Sequence, residues 1–324
     1  MRCRWAVLTP LALLLMACSL VTDFDALRGD ASAPVVDASA DVPTWDSYAA
    51  VDGPNDAPLE TEAEADASPC DRTKPFGTPV AVAGLALVQR NEELVRFSQD
   101  LLTAWVLTRT PDINGVTSAL TELTRTKLTD AFTIGTDLGI STNLLGTTGN
   151  SGHFGISGDR LRLVFADVLG KLRDCSRSSV LTPFSACLTL APDASMPFLT
   201  AAGKRLFLVA SPPTGTLAPA TLDYAGSAWT TPSLITELDV YQHPTLFSHP
   251  ALTSDEQTIV YEVSEEIWIA HTLAGKFGPP EKLTGLTAAS SATHPSWIAD
   301  DECTIALVSN RIGSMDVFLA SRPK

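Results

Sequence analysis

The chain has 324 residues, 45% of them hydrophobic, and its net charge of −15 is unevenly spread: residues 19–69 carry 12 acidic side chains against the single basic Arg28. That apolar content supplies a core for one large all-β domain or two ordinary ones. No Lys/Arg cluster able to neutralise a row of phosphates is present, which excludes nucleic acid as a partner.

Residues 1–17 read as an export signal: Arg2 and Arg4 precede an apolar run from Trp5 to Met16, with a small residue, Ala17, before Cys18. A stable membrane-spanning helix needs roughly 20 apolar residues, and this run is shorter. Leu15-Met16-Ala17-Cys18 resembles the lipobox of bacterial lipoproteins. The resemblance implies that Cys18 is acylated and becomes the first residue of the mature chain. Ser19 behind it implies an outer-membrane address, periplasmic or surface-facing. Acyl chains bury at roughly 0.8 kcal/mol per CH₂, so a multiply acylated Cys18 would give the protein a membrane partner without a spanning helix. Residues 18–69 are predicted to form a disordered linker. Passages such as DASAPVVDASADVP offer little apolar surface to offset the entropy of ordering, and like charges keep the segment extended.

From Cys70 onward the chain repeats. HPALTSDEQTIVYE (249–262) recurs, with one residue inserted, as HPSWIADDECTIALV (294–308). Each copy reads as an inner strand, a polar turn and a β-branched second strand, and a third strand follows (266–271 and 316–321). Such a meander cannot bury both faces alone, so copies stack, and radial stacking of small antiparallel sheets is a β-propeller. An aromatic residue marks the start of each outer strand: Phe76, Phe132, Phe184, Trp229 and Phe277. Second strands fall at 102–108, 160–166, 204–210, 258–264 and 304–310, which predicts a single all-β propeller over 70–324 with five blades, six being the alternative. The last unit runs out of chain before its outer strand, while 77–85 is an outer strand without a unit. The two ends are therefore predicted to pair and close the ring, removing two exposed edges.

The His-Pro pairs, Ser/Asp-rich turns and aromatic-containing second strands resemble TolB-like β-propeller repeats, most clearly over 243–324. Lipobox, acidic tether and repeats together resemble lipoproteins of myxobacteria and their relatives. That resemblance implies the fold and the envelope location, and it carries no catalytic residue to this chain.

Three of the five histidines stand in His-Pro pairs (His243, His249, His294), and His153 opens the second unit's inner strand. Propeller geometry places these near the central channel, where neutral imidazoles could hold a metal. The competing expectation is that each bonds a neighbouring blade's backbone. No carboxylate or cysteine stands at ligand spacing beside any of them, which favours the second expectation and predicts no metal or other cofactor. GNSGH (149–153) and GISGD (155–159) lack the nucleophile-elbow pattern and read as turns. Asp100, Asp159, Asp255, Asp300 and Asp301 all fall in turns, where backbone capping is their expected role.

With Cys18 acylated, an exported chain has Cys70, Cys175, Cys187 and Cys303 to pair in an oxidising compartment, in three possible connectivities. Cys175 and Cys187 fall on adjacent strands of the second unit. That leaves Cys70 with Cys303, both at one end of the closing blade. The function expected is binding of an envelope protein, peptide or glycan by a lipid-anchored module; the alternative is an envelope enzyme acting on glycan or peptidoglycan from the central funnel.

Overall fold

The computed structural model describes residues 70–85, 91–112, 115–140, 153–167, 169–185, 187–210, 218–238, 247–288 and 291–324. Residues 1–69, with the predicted export signal, Cys18 and the predicted linker, lie outside these residues, as does His243. Among the described residues the only helical element is a 3₁₀ turn at Thr236–Leu238, and no helix is long and apolar enough to cross a membrane.

Five antiparallel blades follow one another along the chain. After the short β1 (Val80–Ala81), the first blade is β2 (Asn91–Phe97), β3 (Thr103–Asp112), β4 (Gly115–Thr124) and β5 (Thr133–Asp137). The second contains β6 (Phe154–Ile156), β7 (Arg162–Ala166) and β8 (Lys171–Ser176), and β9 (Leu188–Leu199) completes it. β9 then serves the third blade as its inner strand, pairing with β10 (Arg205–Ala210), which is followed by β11 (Ala218–Asp223) and β12 (Ser233–Leu234). The fourth blade is β13 (Phe247–Leu252), β14 (Thr258–Val263), β15 (Glu266–Leu273), the small β16 (Lys276–Phe277) and β17 (Glu281–Lys282). The fifth is β18 (Thr293–Ile298), β19 (Thr304–Ser309) and β20 (Asp316–Ser321), with β1 as its outer strand through Val80↔Leu319 and Ala81↔Phe318. The count is five, not six, and the ring closes by the chain's N-terminal strand.

The second strands explain why the repeat is legible. Their side chains alternate between the two faces of a blade, and both faces are covered by neighbouring blades. On β19, Ile305 and Leu307 pack toward the fourth blade, while Ala306 and Val308 pack toward the first. On β7, Leu163 and Phe165 join one inter-blade core and Val164 and Ala166 the next. A strand buried on both faces reads as an unbroken apolar run.

Four of the five turns from inner to second strand use the same device. Asp100, Asp159, Asp255 and Asp301 accept the backbone N–H two residues on, at 2.8–3.0 Å, which is the capping role expected of them. The residue after each aspartate takes positive φ: Leu101, Arg160, Glu256 and Glu302, with Gly203 at the matching place in the third blade. Three of these reach back to the preceding blade. Arg160 pairs with Glu122 at 3.1 Å, Glu256 with Arg205 at 2.8 Å, and Glu302 accepts from Thr258 at 2.7 Å. Asp300 differs from its neighbours, accepting instead from Ser254 N at 2.6 Å across the fourth–fifth seam.

The outer-strand aromatics stand ahead of their strands rather than inside them: Phe76, Phe184, Trp229 and Phe277 each lie four residues before the outer strand and Phe132 one before it. In three blades an arginine just past the third strand covers the ring, Arg125 over Phe132, Arg177 over Phe184 and Arg322 over Phe76, at 4.4–4.6 Å. The arginine Nε of each also donates to the carbonyl of the positive-φ turn residue. Turn, third strand and outer strand are thus locked by one side chain. Two disulfides add to this, Cys175–Cys187 within the second blade and Cys70–Cys303 across the closure.

Buried Glu302 also lies 3.5 Å from His271 of the fourth blade. Hydrogen bonding with His271 lowers the Glu302 carboxyl from 4.5 to about 2 and raises the His271 imidazole above 6.5. The carboxylate's contribution is complete above pH 4.5 and is lost as pH falls toward 2, while the histidine's is lost as pH rises past 6.5. Denaturant titrations at pH 5.5 and 3 should therefore show wild type losing about 1–2 kcal/mol more than Glu302→Gln, the half-exposed His271 limiting the size. Equal losses in the two proteins would remove this seam from the account.

Candidate functional site

The five inner strands line the central channel, and each runs from the face where the chain passes between blades to the face bearing the Asp-capped turns. Four of them carry an extra residue opposite the second strand. At two of these bulges the backbone is left-handed, at Met196 and at His249 (φ 51°). A bulge re-aims the side chain of the extra residue. His249, one residue into that bulge, stacks on His294 of the next blade, with ring centroids 4.1 Å apart and planes 15° from parallel. His153, from the second blade, meets the His249 ring edge-on at 4.7 Å. Three of the four histidines predicted near the channel are therefore brought together, His243 lying outside the described residues.

A carboxylate stands among them, which corrects the expectation drawn from sequence. Glu262 Oε2 lies 2.6 Å from His294 Nδ1 and 2.9 Å from His249 Nδ1, and it accepts from Ser248 Oγ at 3.1 Å. His249 Nδ1 is off the hydrogen-bond axis and is a buried nitrogen without a hydrogen bond. The carboxylate sits on β14, thirteen residues after His249, and only the pairing Ser248↔Glu262 places it beside the ring. A signal was available: the two clear repeat copies align Glu262 with Val308, an acid where a β-branched apolar residue is otherwise buried.

Burial pushes the His153 and His249 imidazoles down, His153 well below its ordinary value, so both are neutral at pH 7. Burial alone would raise Glu262, but the two imidazoles beside it hold its carboxyl well below the usual range. Glu93 on β2, in the field of His294, is raised by burial and pairs with Arg109 at 2.9 Å.

Below the histidines Arg96 crosses the channel. It belongs to β2, and its guanidinium donates to backbone carbonyls of three other blades: Phe154 at 3.4 Å, Pro250 at 3.3 Å, and Ser296. It also lies over the Phe198 ring of the third blade at 4.6 Å. One side chain thus touches the inner strands of all four other blades. Gly155 lets the inner strands of the second and third blades approach closely, since a Cβ there would meet Leu199 N at 2.1 Å. Arg96 is 5% exposed, and burial lowers its pKa to about 9 with no carboxylate drawing it back. Nothing in the repeat pattern marked it; its only trace is one cation in the run LVRF (94–97).

Arg96 forms the floor of a cavity of about 210 Å³ that opens on the turn face. Phe97, Trp105, Phe198 and Trp297 supply its apolar wall, and Ser98, Gln99 and Ser254 its rim. Among the described lining residues there is no carboxylate. The channel therefore has two different ends, a histidine–glutamate cluster at one and an aromatic funnel with a cationic floor at the other.

No protein-family model and no curated protein matches the sequence. Solved structures similar to it include a TolB from Agrobacterium tumefaciens (15% identity, 58% of this chain and 64% of that one, TM-score 0.39). TolB from Acinetobacter baumannii is another (12% identity, 77% and 55%, TM-score 0.42), and this chain spans less than two thirds of either TolB. An α-L-arabinofuranosidase from Podospora anserina is a third (13% identity, 77% and 97%, TM-score 0.45). These likenesses concern fold alone; by its own sheet order the chain is a five-bladed β-propeller with TolB proteins among the structures it resembles.

Proposed function

We propose that this protein is a lipid-anchored binding module of the bacterial cell envelope, held to the membrane through Cys18, spaced from it by residues 18–69, and binding a partner segment in the turn-face funnel. The observation that carries this reading is Arg96, a buried guanidinium at the floor of an aromatic cavity with no carboxylate among the described lining residues. A buried charge without a counter-ion is costly, and a ligand that brings an anion relieves that cost. The ligand class that fits is a peptide or glycan segment with one apolar group for the aromatic wall and a carboxylate for Arg96. A glycan-cleaving site would instead need two carboxylates facing one pocket, which the funnel's described residues do not supply.

The test places a photo-crosslinking residue at Ala201, exposed on the funnel wall, and at Leu181, exposed elsewhere on the surface. Irradiation in intact cells should give a discrete adduct from Ala201 alone, in a protein that enters the detergent phase and leaves it on Cys18→Ala. Absence of an Ala201 adduct, or an identical one from Leu181, would refute the funnel as the binding site. Aqueous partitioning of the wild-type chain would refute the anchor.

A further inference from the structure

The opposite end of the channel carries a separate inference, independent of what the funnel binds. We infer that His249, His294 and Glu262, with His153 beside them, form a binding site for a first-row divalent metal ion.

The donors are of the right kind and number. Two imidazole nitrogens and one carboxylate oxygen, all within 4.8 Å of one another, come from β13, β14 and β18. Imidazole and carboxylate together suit zinc and its neighbours in the row, whose bonds to such atoms are roughly 2.0–2.2 Å long. Donors held tetrahedrally by an ion at that distance stand roughly 3.4 Å apart, so the 2.6 and 2.9 Å separations at Glu262 Oε2 would widen slightly as the ion enters between them. His153 meets the His249 ring edge-on and stands beside this group of three donors.

The unbonded His249 Nδ1 is a second, independent observation. A buried ring nitrogen 2.9 Å from a carboxylate, yet off the hydrogen-bond axis, is explained if both atoms face a shared third body.

The full chain, purified in detergent without an affinity tag and stripped with EDTA, is titrated with Co²⁺ and with Zn²⁺. Co²⁺ should develop visible absorption that saturates at about one ion per chain, and Zn²⁺ should displace it and raise the melting temperature. Glu262→Gln should weaken binding roughly tenfold or more, and His294→Gln should abolish the absorption. His271→Ala, at the outer seam, should leave both unchanged. Failure of the wild-type chain to give a saturating Co²⁺ signal would overturn the site without reference to any variant. So would retention of wild-type binding by folded His294→Gln, with folding judged by its melting transition in EDTA.

Discussion

Removal of residues 70–85 is expected to turn a monodisperse protein into an aggregating one, whereas removal of residues 25–65 leaves its solution behaviour unchanged. β1 contributes few residues, but its segment is tied along its length: Gly77 N donates to Ser321 O and Val82 N to Val317 O, each at 2.9 Å. Phe76, Val82 and Leu85 are buried there, and losing three such side chains from water-free contact forfeits roughly 5–8 kcal/mol. That rivals the whole net stability of a domain, about 5–15 kcal/mol. The deletion also bares the edge of β20 and one face of the core between the fifth and first blades, which is a template for pairing with another chain. Light scattering after gentle heating separates the two deletions, and indistinguishable curves would mean that the closure does not hold the ring.

The disulfides extend the same expectation. Cys70–Cys303 encloses a separation of 233 residues and Cys175–Cys187 one of 12, so chain entropy assigns more to the first, about 5–6 kcal/mol against about 3. Guanidinium midpoints of Cys303→Ser and Cys187→Ser should fall in that order. A larger loss from the short loop would show that local strain or packing, rather than closure, governs their contributions.

The blades and their closure were legible because their causes are local. A second strand packed on both faces must be apolar throughout, and an Asp-capped turn with one left-handed residue recurs in four of the five blades. The sharing of β9 between two blades was not legible, since Pro192 and Pro197 interrupt residues 188–199 with missing donors and disguise a strand of twelve. The arginine over three of the outer aromatics is hidden in the sequence for another reason. Arg125–Phe132 and Arg177–Phe184 keep a spacing of seven, but the third pair, Arg322–Phe76, is split across the two ends of the chain. Glu262 was hidden because sequence spacing describes one strand at a time, while the site is assembled across a hairpin and a blade boundary.

Replacement of Arg96 should give the largest loss of stability from any single substitution in the channel. Three carbonyls from three blades accept from its guanidinium, and hydrogen bonds to a charged group are worth about 1.5–3 kcal/mol each before the cost of burying the charge is set against them. Arg96→Ala strands those carbonyls and opens a void against Phe198, so a net loss of roughly 3 kcal/mol or more is expected. Arg96→Met fills most of the void but donates nothing and should lose somewhat less. Arg96→Lys keeps the charge, yet a point ammonium cannot span carbonyls on the second, fourth and fifth blades as the planar fork does, so it should fall between Met and wild type. The series is read from guanidinium unfolding at pH 7. A Met variant as stable as wild type would show that the buried charge costs the fold as much as its hydrogen bonds return. Arg96 would then be kept for the ligand, and the Ala201 adduct should disappear in that same folded variant. Persistence of the adduct alongside undiminished stability would leave Arg96 neither role, and the funnel would no longer be the place to look for the partner.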